Sequence, residues 1–137
     1  MKTDESKPIL CGTDFSENAA QAALVADALA RRLGVPLMLV RSADERQEFP
    51  DSRELEAQLR ALIPAGAEKR GVRMEVRLVE SSDAAKAIVE AAARFDADLV
   101  CIGTHGRSGL AAAVLGSVAQ AVIAQRPRPV LVVRPRV

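Results

Sequence analysis

Aromatic residues are almost missing from this chain: Phe15, Phe49 and Phe95 stand alone among 137 residues, with no Tyr and no Trp. Scattered rings give the bases of a single strand nothing to stack on. An excess of positive charge is missing too, because 19 Lys and Arg face 18 Asp and Glu and no segment gathers the basic residues. A phosphate-backbone reader needs such a patch, so no nucleic acid is expected as a partner. Long apolar runs are absent, and the opening MKTDESKPIL lacks the apolar stretch of a leader peptide. No membrane association is therefore expected, and the chain reads as cytoplasmic. Only two cysteines occur, Cys11 and Cys101, each inside an apolar run. That is too few for a disulfide framework, and both read as small core residues.

What the chain does hold is a hydrophobic fraction of 49%, carried by Ala, Val, Leu and Ile. Its length suits one domain spanning 1–137, the first seven residues being expected to be disordered. Short apolar runs alternate with longer stretches of helical period, the signature of a β-α-β-α succession around a parallel sheet. Strands are expected at Ile9–Gly12, Pro36–Val40, Val72–Val79, Leu99–Gly103 and Val130–Val133. A first helix should follow Ser16 and reach Arg32 or Leu33, turning Val25, Leu29 and Leu33 inward and pairing Asp27 with Arg31 on the opposite face. Gly34 should stop it. A second helix should open near Asp51 or Ser52 with Leu55, Leu59 and Leu62 inward, and kink or break at Pro64 and Gly66 before Gly71. The third should follow Ser82 or Asp83, bury Ala85, Ile88, Val89 and Ala92, pair Glu90 with Arg94 and end at Phe95. The fourth should begin around Gly116 and turn Val118, Val122 and Ile123 inward, with Pro127 to Pro129 leading into the last strand.

The strands differ in a way that orders them. Residues Val72 to Leu78 alternate apolar with polar, as a half-exposed edge strand does. The first and fourth strands are continuously apolar and belong in the middle. The expected fold is therefore a single α/β domain, a flavodoxin/Rossmann-like three-layer sandwich with a five-stranded parallel sheet in the order 3-2-1-4-5. The last strand then forms the other edge, yet Val130, Leu131, Val132 and Val133 carry no charge to protect it. The same strand of a second copy, antiparallel across a two-fold axis, is the simplest cover, which makes a homodimer the expected state.

In that order the first and fourth strands send their connections opposite ways, and ligands bind in the crevice beyond the carboxyl ends of such strands. Gly12-Thr13-Asp14-Phe15-Ser16 follows the first, and Gly103-Thr104-His105-Gly106-Arg107-Ser108-Gly109 the fourth, before Gly116-Ser117-Val118 opens the final helix. Glycines let main-chain amides approach a phosphate, and a helix start adds orphan donors with partial positive charge. Ser117 can add a hydroxyl. Asp14 is placed to accept hydrogen bonds from a ribose, or simply to cap the helix. Neither G-x-x-x-x-G-K-[ST] nor G-x-G-x-x-G occurs.

The spacing that does occur, Gly103-x-x-Gly106, nine residues, then Gly116-Ser117, resembles that of the ATP-binding members of the universal stress protein family. The resemblance runs from Pro8 to Arg134. It implies adenine near Val40, ribose on Asp14, and phosphates on Gly103, Gly106, Gly116 and Ser117, with Gly12, Thr13, Ile102, His105, Arg107 and Val118 around them. It also implies ATP, with Mg²⁺, as the cofactor, and a dimer through the fifth strand. Gly12 stands where members often have a larger residue, and the connection from Ser42 to Asp51 is short.

Catalysis finds little support. His105, the sole histidine, has no metal-spaced cluster around it and suits a loop hydrogen bond. Ser117, His105 and Asp14 lack the G-x-S-x-G elbow of a hydrolase. Phosphoryl transfer would have only Arg107 and Asp14 to draw on. The expected function is that of an ATP-binding regulatory dimer, read by a protein partner that the sequence does not name. The alternative is a dimeric interaction protein of the same fold that works without nucleotide.

Overall fold

Two apolar layers, one on each side of a single sheet, organise the molecule. In the computed structural model the described residues are 7–13, 17–43, 52–61, 73–81, 83–104, 115–125 and 128–134. Along them run β1 (Ile9–Gly12), α1 (Glu17–Leu33), β2 (Leu37–Ala43), α2 (Ser52–Ala61), β3 (Met74–Glu80), α3 (Ala84–Arg94), β4 (Leu99–Gly103), α4 (Ser117–Gln125) and β5 (Val130–Val133). The sheet is parallel and ordered β3-β2-β1-β4-β5, as expected for a chain whose first and fourth strands are apolar throughout. Three strands match their expected spans. β2 runs three residues further, because Arg41, Ser42 and Ala43 pair with Leu78, Val79 and Glu80 of β3 and main-chain pairing tolerates their polarity. β3 begins at Met74; Val72 lies outside the described residues.

Alternation of side chains splits the strands between the two layers. Ile9, Cys11, Leu37, Leu39 and Cys101 meet Ala22, Ala23, Ala26 and Ala30 of α1. Leu10, Met38, Val40, Val100 and Ile102 meet α3 and α4 through Ala85, Ile88, Ala91, Ala92, Ala119 and Val122. Alanine thus lines every helix face whose packing is described. The expected inward sets hold at Ala85, Ile88, Ala92 and Val122 and are corrected elsewhere. In α1, Val25 and Leu33 are exposed and only Leu29 touches the core. In α3, Val89 is half-buried while Ala87 and Ala91 are enclosed; in α4, Val118 and Ile123 are exposed while Ala119 is buried. The reason is steric: a helix comes closer to a strand surface of Leu, Ile and Val when its own contact side chains are short.

Of the two expected ion pairs, Asp27–Arg31 forms and Glu90–Arg94 is replaced. Arg31 Nε does reach Asp27 Oδ2 at 3.4 Å, but Asp27 is only 1% exposed, so the pair straddles the boundary instead of lying in solvent. Asp27 follows Ala26 and lies one turn past Ala23, which carries its carboxylate to the edge of the alanine stripe. Glu90 pairs with Lys86 at 3.9 Å, while the Arg94 guanidinium lies 5.4 Å from the centre of the Phe95 ring.

The helix ends follow local chemistry. Gly34, at φ +69°, ends α1, and Val35 N–H closes on Ala30 O at 3.1 Å, a turn that needs the left-handed region. Asp83 caps α3 by accepting from Lys86 N at 3.0 Å. Phe95 is its last cap, and Asp96 then takes the left-handed position at φ 52° while Ala97 N–H bonds Ala92 O. At this amino end of the sheet Asp96 also pairs with Lys7 (3.3 Å) and Arg128 (3.2 Å). Residues 1–6, the Ser16 cap, the inward leucines of the second helix and the kink between Pro64 and Gly71 lie outside what is described.

Candidate functional site

At the carboxyl ends of β1 and β4 the chain places its smallest and shortest side chains. Gly12 and Gly103 end the two strands; Thr13 and Thr104, both buried, follow them. Thr13 N–H donates to Val40 O at 3.0 Å, tying the end of β1 to β2. Gly116 N–H donates to Thr104 O at 2.7 Å, so the chain that leaves β4 returns to the same spot to begin α4. The two halves of the glycine motif are thereby brought together. Asp14, His105, Gly106 and Arg107 lie outside the described residues.

The two glycines that end β1 and β4 each have a specific tenant in the space a side chain would need. A Cβ on Gly12 would lie 2.6 Å from Ile88 Cδ1, so the gap is filled by α3, and what Gly12 can offer a ligand is main chain. A Cβ on Gly103 would lie 2.7 Å from Asn18 Oδ1 and 3.3 Å from the Asn18 main-chain carbon. Gly116 accepts from Gln120 N at 3.0 Å and so caps α4. Its own amide is engaged by Thr104, which leaves the first-turn amides of Ser117, Val118 and Ala119 as the donors without an intrahelical acceptor. The exposed Ser117 side chain stands beside them. Val40 and Ile102 are sealed in the core, 1% and 3% exposed, and turn their side chains toward α3 and α4.

Asn18 and Thr104 were not singled out in the sequence. Asn18 is buried in the first turn of α1. Its Oδ1 accepts from Thr104 Oγ1 at 3.2 Å and its Nδ2 donates to Val133 O at 3.1 Å. The legible signal was its place at the head of the stripe Asn18, Ala22, Ala26, Ala30, spaced four apart on the face that packs on the sheet. A polar residue there must find partners.

The expected pairing edge lies next to this cluster. Pro129 O and Val133 O both face β4, accepting from Val100 N–H (2.9 Å) and Thr104 N–H (3.0 Å). The two-residue alternation of a strand then turns the main-chain groups of Val130 and Val132 outward along the open side of the sheet. All four β5 side chains are half-buried.

Below the cluster, Cys11 and Cys101 sit directly opposite each other on β1 and β4, both fully buried and unbridged. The hydrogen bond to Cys101, with burial, holds the Cys11 thiol well above the ordinary cysteine range. Cys101 Sγ also donates to Ala22 O at 3.5 Å. The hydrogen bond with Cys11 draws the Cys101 thiol below its ordinary value, but both sulfurs are fully enclosed, and enclosure keeps the pair inert, in keeping with a core role. No group of three His, Cys, Asp or Glu able to hold a metal occurs among the described residues, and no helix there is long and apolar enough to cross a membrane.

Comparison with known proteins places this arrangement. Residues 5–134 match the universal stress protein family. A universal stress protein of Thermus aquaticus is 33% identical over 135 residues, covering 93% of this chain and 98% of its own length. Among solved structures, hypothetical protein MJ0577 superposes with a TM-score of 0.80 at 28% identity, covering 98% and 99% of the two chains. The universal stress protein of Archaeoglobus fulgidus in complex with dAMP superposes with a TM-score of 0.71 at 25% identity, covering 93% and 98%.

Proposed function

The chain is a member of the universal stress protein family, and on that footing we propose that it is a regulatory protein that binds an adenine nucleotide, ATP with Mg²⁺, at the carboxyl end of its sheet, and acts as a homodimer. The observation that carries this reading is the 2.7 Å bond from Gly116 N–H to Thr104 O. It sets a helix start, whose first-turn amides have no intrahelical acceptor, beside the crevice between β1 and β4, where the fold class receives ligands. A relative of the same fold is in complex with dAMP.

The phosphates fall to the amides of Ser117, Val118 and Ala119 and to the Ser117 hydroxyl, with Gly103, Gly106 and Gly116 keeping side chains out of the way. Asp14 takes the ribose, and the adenine lies against the end of β2 beyond Val40. The donor set suits this group: short side chains and main-chain N–H groups fit an anion. Mg²⁺ would be held chiefly by the phosphates and water, since it keeps part of its hydration shell in such sites. Its chemistry when bound is charge neutralisation on the phosphates. Turnover is slow or nil, below about one per second, because Arg107 and Asp14 are the only residues that the sequence offers for charge stabilisation and ligation. The dimer forms by antiparallel pairing of β5 with its copy through the outward groups of Val130 and Val132. Occupancy of the crevice alters a surface that a protein partner reads.

Calorimetric titration of ATP, AMP and buffer into the wild type and into folded Gly116→Val tests the site. ATP should give a saturable heat with the wild type and none with the variant, whose side chain crowds the helix start. Absence of heat for either adenylate at millimolar concentration in the wild type refutes the reading.

A further inference from the structure

Asn18 touches both the neck of the crevice and the strand at the open edge. Its Oδ1 accepts from Thr104 Oγ1 at 3.2 Å, at the neck where the chain leaves β4. Its Nδ2 donates at 3.1 Å to Val133 O, the carbonyl that also accepts from Thr104 N–H at 3.0 Å. Both lone pairs of that carbonyl are thus engaged, one by the neck and one by α1. Thr104 O in turn holds Gly116 N–H at the start of α4. The chain α4, Thr104, Asn18, β5 is therefore continuous in hydrogen bonds, all of them shielded from water at Asn18, which is 7% exposed, and Thr104, which is 5% exposed. Shielding makes such bonds stiff, since a displaced partner leaves a buried polar group unmatched. Gly103 completes the lock, because only a residue without Cβ leaves room for the Asn18 carboxamide.

We propose that Asn18 is a positioning residue that braces the start of α4 against the end of β5, so that nucleotide binding and strand pairing between copies are coupled through its carboxamide, which reinforces the direct bond from Thr104 N–H to Val133 O. This rests on the nucleotide-binding dimer proposed above and adds how its two properties are linked. A ligand on the first-turn amides of α4 pulls on Gly116 and Thr104; Asn18 passes the displacement to Val133, next to the outward groups of Val132. The coupling is reciprocal by linkage, so dimer formation strengthens nucleotide binding by the same factor.

Asn18→Asp separates the two halves of the carboxamide. A carboxylate still accepts from Thr104, suits the first turn of a helix, and presents an oxygen to Val133 O where an amide stood. Asn18→Leu keeps the approximate volume and removes both bonds. Each variant is compared with the wild type by ATP calorimetry, sedimentation of the dimer and amide hydrogen exchange, with Leu10 and Cys11 in central β1 as the control for folding. The expected result is a loss of about tenfold in both ATP affinity and dimer affinity, with faster exchange at both Gly116 and residues 130–133 and none at Leu10 and Cys11. If one affinity changes alone, or neither moves beyond twofold, the coupling is wrong. Should the wild type neither bind ATP nor dimerise, the proposed function fails by itself and exchange decides Asn18: acceleration at both places upholds the link, at one or none overturns it. If either variant does not fold, the other decides.

Discussion

The two ends of the same sheet are closed by opposite means. At the amino end, Lys7 and Arg128 converge on Asp96, and main-chain bonds such as Asp98 N–H to Pro8 O and Leu37 N–H to Arg73 O stitch the strand starts together. At the carboxyl end, two glycines, two threonines and one asparagine do the closing, through buried bonds between short groups. The difference teaches where each kind of contact belongs. Long charged side chains reach across a wet rim and tolerate change, whereas short buried ones hold a fixed shape and keep main-chain donors within reach of a ligand.

Substitutions at the two ends should therefore differ in kind. The largest effect is expected at Gly103→Ala, where the new methyl meets a carboxamide tied by two hydrogen bonds and the Asn18 main chain behind it. A loss of about 2 kcal/mol in urea unfolding is expected, with weaker ATP binding; wild-type stability would show that the carboxyl end is softer than its contacts imply. Gly12→Ala meets side-chain atoms alone, Ile88 Cδ1 and Cγ1 with Ile102 Cγ2 in ordinary contact, and no main chain, so a smaller loss of about 1 kcal/mol is expected by the same measurement. At the other end, Asp96→Asn keeps a residue that accepts φ 52° and removes both ion pairs. With partners about half exposed, the loss should be about 0.5 kcal/mol and should shrink further in 1 M salt; a cost equal to that of Gly103→Ala would erase the contrast.

The smallest effect is a dependence on high pH. Cys11 carries its proton to higher pH in the folded chain than in the unfolded one. Its contribution is thus fully present below about pH 8.5, where the unfolded thiol titrates. It is lost as pH rises through the raised folded value. The same hydrogen bond lowers the Cys101 thiol, whose share runs the other way, so urea midpoints from pH 7 to 10 report the pair: they should be flat and then fall, and the fall should be shallower when both thiols are removed in Cys11→Ala/Cys101→Ala. Equal slopes would show that other groups govern alkaline unfolding.

Much of this was legible in advance. Ile9–Gly12, Leu99–Gly103 and Val130–Val133 are strands because unbroken apolar runs bounded by Gly or Pro leave little else, and the alternation that ends at Leu78 marks an edge. The inward helix faces were legible only in part: Ala85, Ile88, Ala92 and Val122 pack as expected, but hydrophobicity ranks Val25, Leu33, Val118 and Ile123 above the α1 and α4 alanines that in fact pack. Reading by size alone selects the residues that add most apolar area; packing selects those that let two backbones approach. Asn18 escaped for a related reason, because nothing in its neighbours Glu17 and Ala19 says that residues 104 and 133 will arrive beside it.

What the sequence determined by itself is the succession of elements, their order in the sheet and the glycine spacing that marks the family, all of which follow from local periodicity and from where side chains are absent. Tertiary structure alone decided which alanines form the α1 and α4 seams, why Asp27 is enclosed, and which carbonyls Asn18 and Gly116 engage. These are contacts between residues far apart in the chain, and their partners are chosen by the distance and angle at which helices settle on the sheet.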